Sequence, residues 1–371
     1  MNLAKRRSVI SSSGIRRVFD LAAKMKDPIN LSIGLPDFDV PDTIKEAAVA
    51  AIRGGKNRYT LTGGIPALRQ EVLALYGRRG IKFEDAMISS GTSGALVLLF
   101  MTLLDPGDEV LIADPYFVMY KHLVRMVGAN PVFVDTYPDF RLTRERLEAA
   151  ITPRTKMIVC NSPANPTGLV YTEAEARMLA EFAEERDLWL VSDEIYDLFT
   201  YDEEFVSPAR FAKKPIVVSG LSKTVAMTGW RMGWIAGPTE VVQAATEFQQ
   251  YTFVCSPSMV QEASLIGIHY DTTPYRDEYK ARRDLVYSGL IEAGYTVTRP
   301  GGAFYIFPEA PGGDATAFVE EAIKNNLLVI PGNVFSERNT HFRISYAQSR
   351  EKLQAGIDVM TQLIGKFPGR K

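Results

Sequence analysis

Two ionisable residues follow apolar runs that predict buried strands. Asp193 comes directly after 189–192, and Lys223 comes shortly after 216–219. A carboxylate at the end of a buried strand is costly unless it meets a cation or hydrogen-bond donors. A lysine among small residues acquires a lowered pKa, and its neutral amine can then attack an aldehyde. The competing interpretations are a helix N-cap for Asp193 and a solvated surface position for Lys223.

Two loops of small polar residues add binding groups. The Gly/Ser/Thr-rich segment 89–96 has the pattern of a strand-to-helix turn, whose free N–H groups and hydroxyls suit a phosphate. It has neither a Walker lysine nor G-x-G-x-x-G spacing, which disfavours nucleotide binding. The loop 161–168 contains Asn165 before Pro166, a pair biased away from helix that could aim the Asn165 amide outward. Simple turns are the alternative for this loop.

These segments occur in an order that resembles a known family. The run 220–233 contains Gly220, Lys223, Gly229, Arg231 and Gly233, and it resembles the lysine signature of class I and II aminotransferases. The blocks 165–168, 193–196 and 342–347 are similar to that family's other motifs, in the same order. The resemblance extends from about residue 30 to 350. It is most similar to the bacterial aspartate aminotransferase-like branch of the fold-type I pyridoxal 5′-phosphate (PLP) enzymes.

The resemblance implies a role for each residue around the cofactor ring. Lys223 would form a Schiff base with PLP and later act as the general base. Asp193 would pair with the protonated pyridine nitrogen, while Tyr196 and Asn165 would hydrogen-bond the ring's phenolic oxygen. Phe117 falls where the family stacks an aromatic ring on the pyridine face; a core aromatic is the alternative. The reaction implied is ping-pong transfer of an amino group from an L-amino acid to a 2-oxoacid.

The same resemblance implies which residues bind the phosphate and the substrate. The phosphate would lie against Gly91, Thr92, Ser93 and Arg231, with Tyr59 reaching in from the neighbouring subunit of a homodimer with shared sites. The substrate carboxylate would be bound by Arg343, Asn165 and the backbone N–H of Gly34. Gly220 departs from many relatives, which carry serine there, so one hydroxyl contact with the phosphate is expected to be missing.

Alternating strand and helix patterns must position these residues. Between about 85 and 240, seven β-branched runs alternate with amphipathic segments, which predicts a three-layer α/β/α sandwich with a mainly parallel sheet. The predicted strands are 86–89, 109–113, 130–134, 156–160, 189–192, 216–219 and 233–236. The predicted helices are 94–104, 116–127, 143–150 and 173–185, the last with Thr172 as N-cap. Ligands are expected at the carboxyl ends of the strands.

The pattern changes near residue 273. A long charged helix (274–292) precedes predicted strands at 296–298, 303–307, 328–330 and 341–345, a helix at 315–325 and a final helix. We therefore expect three parts: an N-terminal arm that joins the small domain (1–40), a large PLP-binding domain (41–272) and a small α+β domain (273–371).

Composition excludes several classes of protein. The formal net charge is −2, so no global basic field recruits nucleic acid or an anionic membrane. Two cysteines and three histidines show no metal-ligand spacing, and we expect no metal. The longest apolar stretch is about half the length of a membrane span, and no signal peptide is recognised. A cytoplasmic location is expected.

Three alternatives remain open at this point. A PLP-dependent C–S β-lyase uses the same residues, a non-catalytic PLP-fold regulator would keep the fold without the reaction, and a nucleotide-binding α/β protein would share only the sheet. Aspartate is the first expected donor, with aromatic amino acids and alanine next. A dicarboxylic substrate needs a second cation, and neither Arg16 nor Arg17 can be given that role from the sequence.

Overall fold

The computed structural model describes residues 3–10, 14, 18 and 22–367. Arg16 and Arg17 lie outside the described residues. Twelve strands are present in this part of the chain, each built from short apolar or β-branched runs. They are β1 (Ile29–Asn30), β2 (Asp85–Ser90), β3 (Glu109–Asp114), β4 (Asn130–Asp135), β5 (Thr155–Asn161), β6 (Trp189–Asp193), β7 (Ile216–Gly220), β8 (Met232–Gly237), β9 (Tyr305–Ile306), β10 (Leu327–Leu328), β11 (Ile330–Pro331) and β12 (Phe342–Ser345).

The described part also contains eleven α-helices, most of them with one apolar face. They are α1 (Asp42–Arg53), α2 (Pro66–Arg78), α3 (Gly91–Leu103), α4 (Met119–Met126), α5 (Arg144–Ala150), α6 (Glu173–Glu185), α7 (Thr239–Gln250), α8 (Ser258–Gly267), α9 (Thr273–Glu292), α10 (Ala315–Lys324) and α11 (Arg350–Ile364).

Seven strands form the main sheet in the order β2-β8-β7-β6-β5-β3-β4. β8 runs opposite to the other six strands, so the sheet is mainly parallel, as predicted. Successive residues of a strand point to opposite faces, and each face is covered by helices. Val191 packs in the core under α3 and α7, whereas its neighbour Leu190 packs in the core under α5 and α6. This is the predicted three-layer α/β/α sandwich.

Local signals predict several element ends correctly. Helix α6 begins after Thr172 with a capping box, in which the Thr172 hydroxyl accepts from the Glu175 N–H and the Glu175 carboxylate accepts from the Thr172 N–H. The expected strand at 296–298 is wrong, since this segment forms no strand; the Thr296 carbonyl accepts a single hydrogen bond from the Glu309 N–H. Helices α1, α2, α7 and α8 had not been predicted individually.

The carboxy-terminal part forms its own apolar core beside the main sheet. Strands β11, β12 and β9 make an antiparallel sheet that packs with α9, α10 and α11. The N-terminal arm joins this core, because β1 pairs in parallel with β10 and the Ser345 N–H donates to the Leu31 carbonyl at 2.7 Å. The arm is only partly extended, since Lys5–Val9 forms a 3-10 helix. Within the described residues, every helix is too short or too polar to span a bilayer.

Candidate active site

Neighbouring parallel strands end at one edge of the main sheet, and predicted site residues lie at this edge. Asn161 on β5 is the register partner of Asp193 on β6, and Asp193 is in turn level with Val218 on β7. Lys223 follows β7 by three residues, so it reaches the same edge. A cavity of about 650 Å³ opens there, a volume typical of sites that bind small molecules.

The cavity brings together most of the predicted site residues. Its lining includes Gly34, Thr92, Ser93, Phe117, Asn165, Asp193, Tyr196, Lys223, Arg231 and Arg343. Gly91 lies directly behind the lining, against the Arg231 guanidinium. Tyr59 is not part of the lining, and its side chain is 85% exposed. The sequence had assigned Tyr59 to the neighbouring subunit's site, and that assignment stays a prediction.

Asp193 is buried at the floor of the cavity. Its carboxylate accepts hydrogen bonds from the Tyr120 hydroxyl (2.7 Å) and, weakly, from the Ile195 N–H (3.4 Å). Burial raises the pKa of Asp193 to about 6, and the Tyr120 and Ile195 donors and Lys223 limit the rise. The carboxyl group is therefore largely ionised at pH 7. No helix starts after this residue, so the N-cap interpretation is wrong.

Lys223 lies half-buried across the cavity from the N-terminal arm. Its Nζ donates to the Gly34 carbonyl at 2.9 Å. Burial lowers the pKa of Lys223 to about 8, and the nearby cations Arg343 and Arg231 contribute to the lowering, as the sequence predicted in direction. At this pKa roughly a tenth of the amine is neutral at pH 7, far more than for an ordinary lysine, and the neutral amine is the nucleophilic and basic form.

The turn between β2 and α3 forms an anion-binding corner. Helix α3 begins at Gly91 without any side-chain cap, so the N–H groups of its first turn remain for a ligand. Gly91 has φ +67°, and a Cβ there would lie 2.5 Å from the Arg231 guanidinium. Arg231 precedes β8, whose first residue pairs with Ser90, and this pairing brings the guanidinium to the turn. Its terminal nitrogens donate to the Thr228 and Ser90 carbonyls.

Gly220 has a packing reason to be glycine. A Cβ at this position would lie 2.5 Å from the Met232 carbonyl oxygen and 2.8 Å from the Gly233 Cα, because β7 and β8 approach closely. A serine would not fit here without a shift of β8. Ser222, two residues later, lines the cavity.

Arg343 is a buried cation without an anionic partner. It is 1% exposed, and its terminal nitrogens donate to the Asn165 Oδ1 (2.9 Å) and the Ser32 carbonyl (2.7 Å). Its Nε has no hydrogen-bond partner, and no carboxylate in the described part of the chain forms an ion pair with it. Because a buried charge needs a counterion, this arrangement favours an anionic ligand. Asn165 uses its carbonyl oxygen for Arg343, so its NH₂ end is what remains for a ligand.

Aromatic side chains complete the cavity. The Tyr196 hydroxyl is hydrogen-bonded to the Tyr305 hydroxyl at 2.9 Å. Phe117 lies in the loop before α4 and packs edge to face against Tyr120, with ring centroids 5.6 Å apart. The lining also includes the apolar side chains of Ile10, Leu35, Val118 and Met119.

Sequence reasoning missed four residues of this site. Tyr120 supports Asp193, and Asn161 donates from its Nδ2 to the Asp193 carbonyl at 2.9 Å. Ser222 and Tyr305 line the cavity. Asn161 and Ser222 carried a signal, since both stand in the motifs quoted above. Tyr120 and Tyr305 carried none, because their partners lie far away in the sequence. The described residues contain no cluster of His, Cys, Asp or Glu suited to a metal ion.

Comparison with known proteins agrees with this geometry. The sequence model of the family described as "Aminotransferase class I and II" matches residues 26–360. The chain is 38% identical to a probable aspartate aminotransferase of Methanocaldococcus jannaschii (95% of this chain, 97% of the relative). It is 37% identical to aromatic-amino-acid aminotransferase 2 of Thermococcus litoralis (98% of each). The aspartate aminotransferase from Thermus thermophilus with maleate superposes with a TM-score of 0.94 at 36% identity (98% of this chain, all of the other).

Proposed function

The chain belongs to the class I and II aminotransferase family and is a PLP-dependent aminotransferase; from this premise we propose that Lys223, Asp193 and Arg343 carry its reaction. The observation that supports the proposal most directly is their common cavity. A half-buried lysine with a pKa of about 8, an ionised buried carboxylate and an unpaired buried arginine all line it.

The residues present fit the cofactor. Asp193 would hold the pyridine nitrogen, and its pKa of about 6 leaves it anionic when that nitrogen is cationic. The uncapped turn at Gly91, Thr92 and Ser93 would hold the phosphate together with Arg231. Lys223 would attach the aldehyde carbon. When bound, PLP supplies a conjugated ring that accepts electrons from the substrate carbon as its proton leaves.

The chain's own residues then supply proton transfer. Once the substrate amine has replaced it, the neutral Nζ of Lys223 would act as the general base that takes the proton from the substrate Cα. Asp193 holds its charge in a buried environment where Coulomb interactions are strong. Tyr196 and the NH₂ group of Asn165 would donate to the ring's phenolic oxygen, alongside Phe117 on the ring face.

Substrate binding would use the small α+β part. Arg343 offers two parallel donors to the α-carboxylate, which would replace its contacts with Asn165 and Ser32. The Gly34 N–H would complete the grip. Because β1 joins the arm to the carboxy-terminal core, movement of that core on binding would carry the arm over the cavity and exclude water. Donor and acceptor would use the same site in turn, which gives ping-pong kinetics.

For the donor we propose aspartate first, with a 2-oxoacid such as 2-oxoglutarate as acceptor. The names of the relatives support it, as does the maleate in the Thermus thermophilus structure. Aromatic amino acids are the second candidate, with alanine behind them. The apolar lining residues Ile10, Leu35, Val118 and Met119 support an aromatic side chain. Among the described lining residues, the cations are Lys223, Arg231 and Arg343. Each already has another proposed task, so none of them is assigned to the second carboxylate of a dicarboxylic substrate.

A donor panel tests this proposal. The cofactor-loaded enzyme is mixed with single amino acids, and conversion of the bound cofactor to its amino form is followed by visible absorbance. Turnover is then measured with 2-oxoglutarate and with pyruvate. We expect aspartate to give the largest kcat/KM and Lys223→Ala to abolish turnover. Failure of every donor would overturn the proposed transamination.

The β-lyase alternative makes a different prediction. Elimination from cystathionine would release pyruvate and ammonia without any oxoacid acceptor, whereas transamination depends on the acceptor. We expect release well below the transamination rate, because the relatives that the chain resembles are named as aminotransferases.

We also propose a homodimer with shared sites. Tyr59, Leu61 and Tyr251 are large side chains that are 85%, 64% and 88% exposed, which supports a contact surface there. Light scattering is expected to give twice the 41.2 kDa of one chain. Tyr59→Phe is expected to weaken cofactor binding several-fold while leaving the dimer intact.

Domain limits and location are proposals of the same kind. We retain the division into an arm (1–40), a large PLP-binding domain (41–272) and a small domain (273–371), which agrees with the separate apolar core beside the main sheet. Limited proteolysis would test the boundaries. A cytoplasmic location is supported by two free cysteines, Cys160 and Cys255.

A further inference from the structure

Tyr305 lies between groups to which the reaction is assigned, although no motif singled it out. It is on β9, next to the strand that carries Arg343, and its side chain is 1% exposed. Its hydroxyl is 2.9 Å from the Tyr196 hydroxyl, and its ring lies 4.5 Å from the Arg343 guanidinium carbon. The Tyr305 side chain therefore contacts both Arg343, which is assigned to the substrate carboxylate, and Tyr196, which is assigned to the cofactor's phenolic oxygen.

The direction of the hydroxyl pair follows from the neighbouring charge. A guanidinium over the Tyr305 ring withdraws electron density and makes the Tyr305 O–H the better donor. No cation in the described part of the chain lies over the Tyr196 ring, which meets the rings of Phe304 and Tyr305 edge to face at 5.3 and 5.7 Å. Tyr305 then donates to Tyr196, and Tyr196 keeps its own proton for an acceptor in the cavity that both residues line.

Tyr305 also fixes the orientation of Arg343. The guanidinium is held between the rings of Tyr305 and Phe335, each at 4.5 Å. Because the rings cover its two faces, the guanidinium can bind a bidentate anion only through its edge. Asn165 and Ser32 now accept hydrogen bonds at that edge. A carboxylate bound at that edge reduces the positive field over the Tyr305 ring.

The hydroxyl of Tyr305 lies against the arm as well. A Cβ at Gly34 would be 2.2 Å from the Tyr305 Oη, so only glycine allows the arm to pass there. The carbonyl of the same Gly34 accepts from the Lys223 Nζ. The position of the Tyr305 hydroxyl is thus fixed from both sides, by Tyr196 and by the arm.

We propose that Tyr305 is a positioning residue that couples the carboxylate site at Arg343 to the Tyr196 hydroxyl, by donating to Tyr196 and aiming the Tyr196 proton at the cofactor's phenolic oxygen. The inference rests on the proposed roles of Tyr196 and Arg343. It makes Tyr305 act through Tyr196 and not directly on the reacting atoms.

The test is the pH titration of the bound cofactor's visible absorbance in the holoenzyme. Loss of one donated hydrogen bond in Tyr305→Phe should raise the midpoint by about half a pH unit, which is about a threefold change in proton affinity. Maleate, a non-reacting dicarboxylate, should shift the midpoint in the wild type and shift it less in Tyr305→Phe. We expect kcat to fall about threefold to tenfold, with KM changed less than about threefold.

Tyr346→Phe is the matched control. It removes another buried tyrosine hydroxyl of the same core, one that donates to the Ala303 carbonyl at 3.2 Å and has no hydrogen bond to Tyr196. Its midpoint should equal that of the wild type. In a double-mutant cycle, adding Tyr305→Phe to Tyr196→Phe should cause no further shift.

The outcomes are separable. An unchanged midpoint in Tyr305→Phe, an equal shift in Tyr346→Phe, or additive shifts in the double variant would each overturn the coupling. If the wild type neither binds the cofactor with a visible band nor transaminates, it is the proposed function that fails. A variant that binds the cofactor and turns over but titrates like the wild type removes only the role of Tyr305.

Discussion

Two arginines are fully buried in the described part of the chain, and they have opposite surroundings. Arg283, on α9, forms ion pairs with Asp202 (2.8 Å) and Asp284 (2.7 Å). Arg343, on β12, donates to two neutral oxygens and stacks between two aromatic rings, and among the described residues no carboxylate pairs with it and its Nε has no partner. A buried arginine that has its own carboxylates is part of the fold, because its charge is already balanced. One without them indicates a ligand, since the missing anion has to come from outside.

Of the changes that test the contrast between the two arginines, Arg343→Lys should have the largest effect on activity. Lysine keeps the charge but loses the planar fork that binds a carboxylate through two bonds. We expect kcat/KM for the amino donor to fall by about 10² to 10³, mostly through KM, while thermal stability changes little. Steady-state kinetics and thermal unfolding of the same sample measure both. A fall below about fivefold would place the carboxylate elsewhere.

The matched change at the other arginine should affect stability instead. Arg283→Met keeps the length and apolar stem but removes one ion pair from each of Asp202 and Asp284, which keep Lys280 and, for Asp284, also Arg299 as partners. Because these carboxylates are 39% exposed and remain hydrated, we expect a loss of about 2 kcal/mol and not the larger cost of a buried orphan charge. Urea unfolding measures it. Activity per folded molecule should stay within about twofold of the wild type, and a selective loss of kcat would contradict the contrast.

Two neighbouring acidic residues at the end of β6 also differ in their surroundings, one facing the cavity and the other facing the interior. Asp193 faces the cavity and has a pKa raised to about 6, whereas Glu194 faces the closed interior, and burial raises its pKa to about 8. The Ser207 hydroxyl donates to Glu194, but no cation in the described residues forms an ion pair with it. A carboxyl group can become neutral when its counterion is missing. Arginine cannot, which is why Arg343 is the stronger indicator of a ligand.

Glu194→Gln tests this neutral state through pH dependence. The unfolded chain releases this proton near pH 4.5, whereas the folded protein holds it until about pH 8. The folded state therefore binds more protons between these values. The stability contributed by the proton is fully present below pH 4.5 and is lost as the pH rises through 8, by at most about 1.4 kcal/mol per pH unit. Glutamine removes this slope.

Thermal unfolding at about pH 6, 7 and 8 with saturating cofactor measures the effect. The wild type should lose stability across this range relative to Glu194→Gln, and the two should be closest at the lowest pH. Ser207→Ala serves as a control, because it removes the hydroxyl donor but keeps the titrating carboxyl group and hence the slope. Parallel curves for wild type and Glu194→Gln would mean that Glu194 is ionised in the folded protein.

These contrasts also show which parts of the fold and of the site could be predicted from the sequence. All seven strands of the main sheet and the ligand-binding edge were predicted, because strand patterning and turn residues are local. The segment 296–298 was misjudged, since strand formation needs a partner that the local pattern cannot supply. Arg343 was identified by motif resemblance, but its lack of a counterion depends on Asn165 and Ser32, 178 and 311 residues away. The roles of Tyr120 and Tyr305 likewise depend on distant partners, and Gly220 is explained only by the approach of β8.

Stabilisation by an added dicarboxylate is the smallest expected effect, and it tests most directly whether Arg343 binds an external anion. If Arg343 awaits a carboxylate, a non-reacting dicarboxylate such as maleate should stabilise the holoenzyme by binding the folded state alone. At about five times its dissociation constant the expected gain is about 1 kcal/mol. Arg343→Lys should lose most of this gain at the same concentration, whereas Arg283→Met should keep it despite its lower baseline stability. Equal stabilisation of all three proteins would show that maleate binds away from Arg343, and the contrast between the two arginines would then lose its functional meaning.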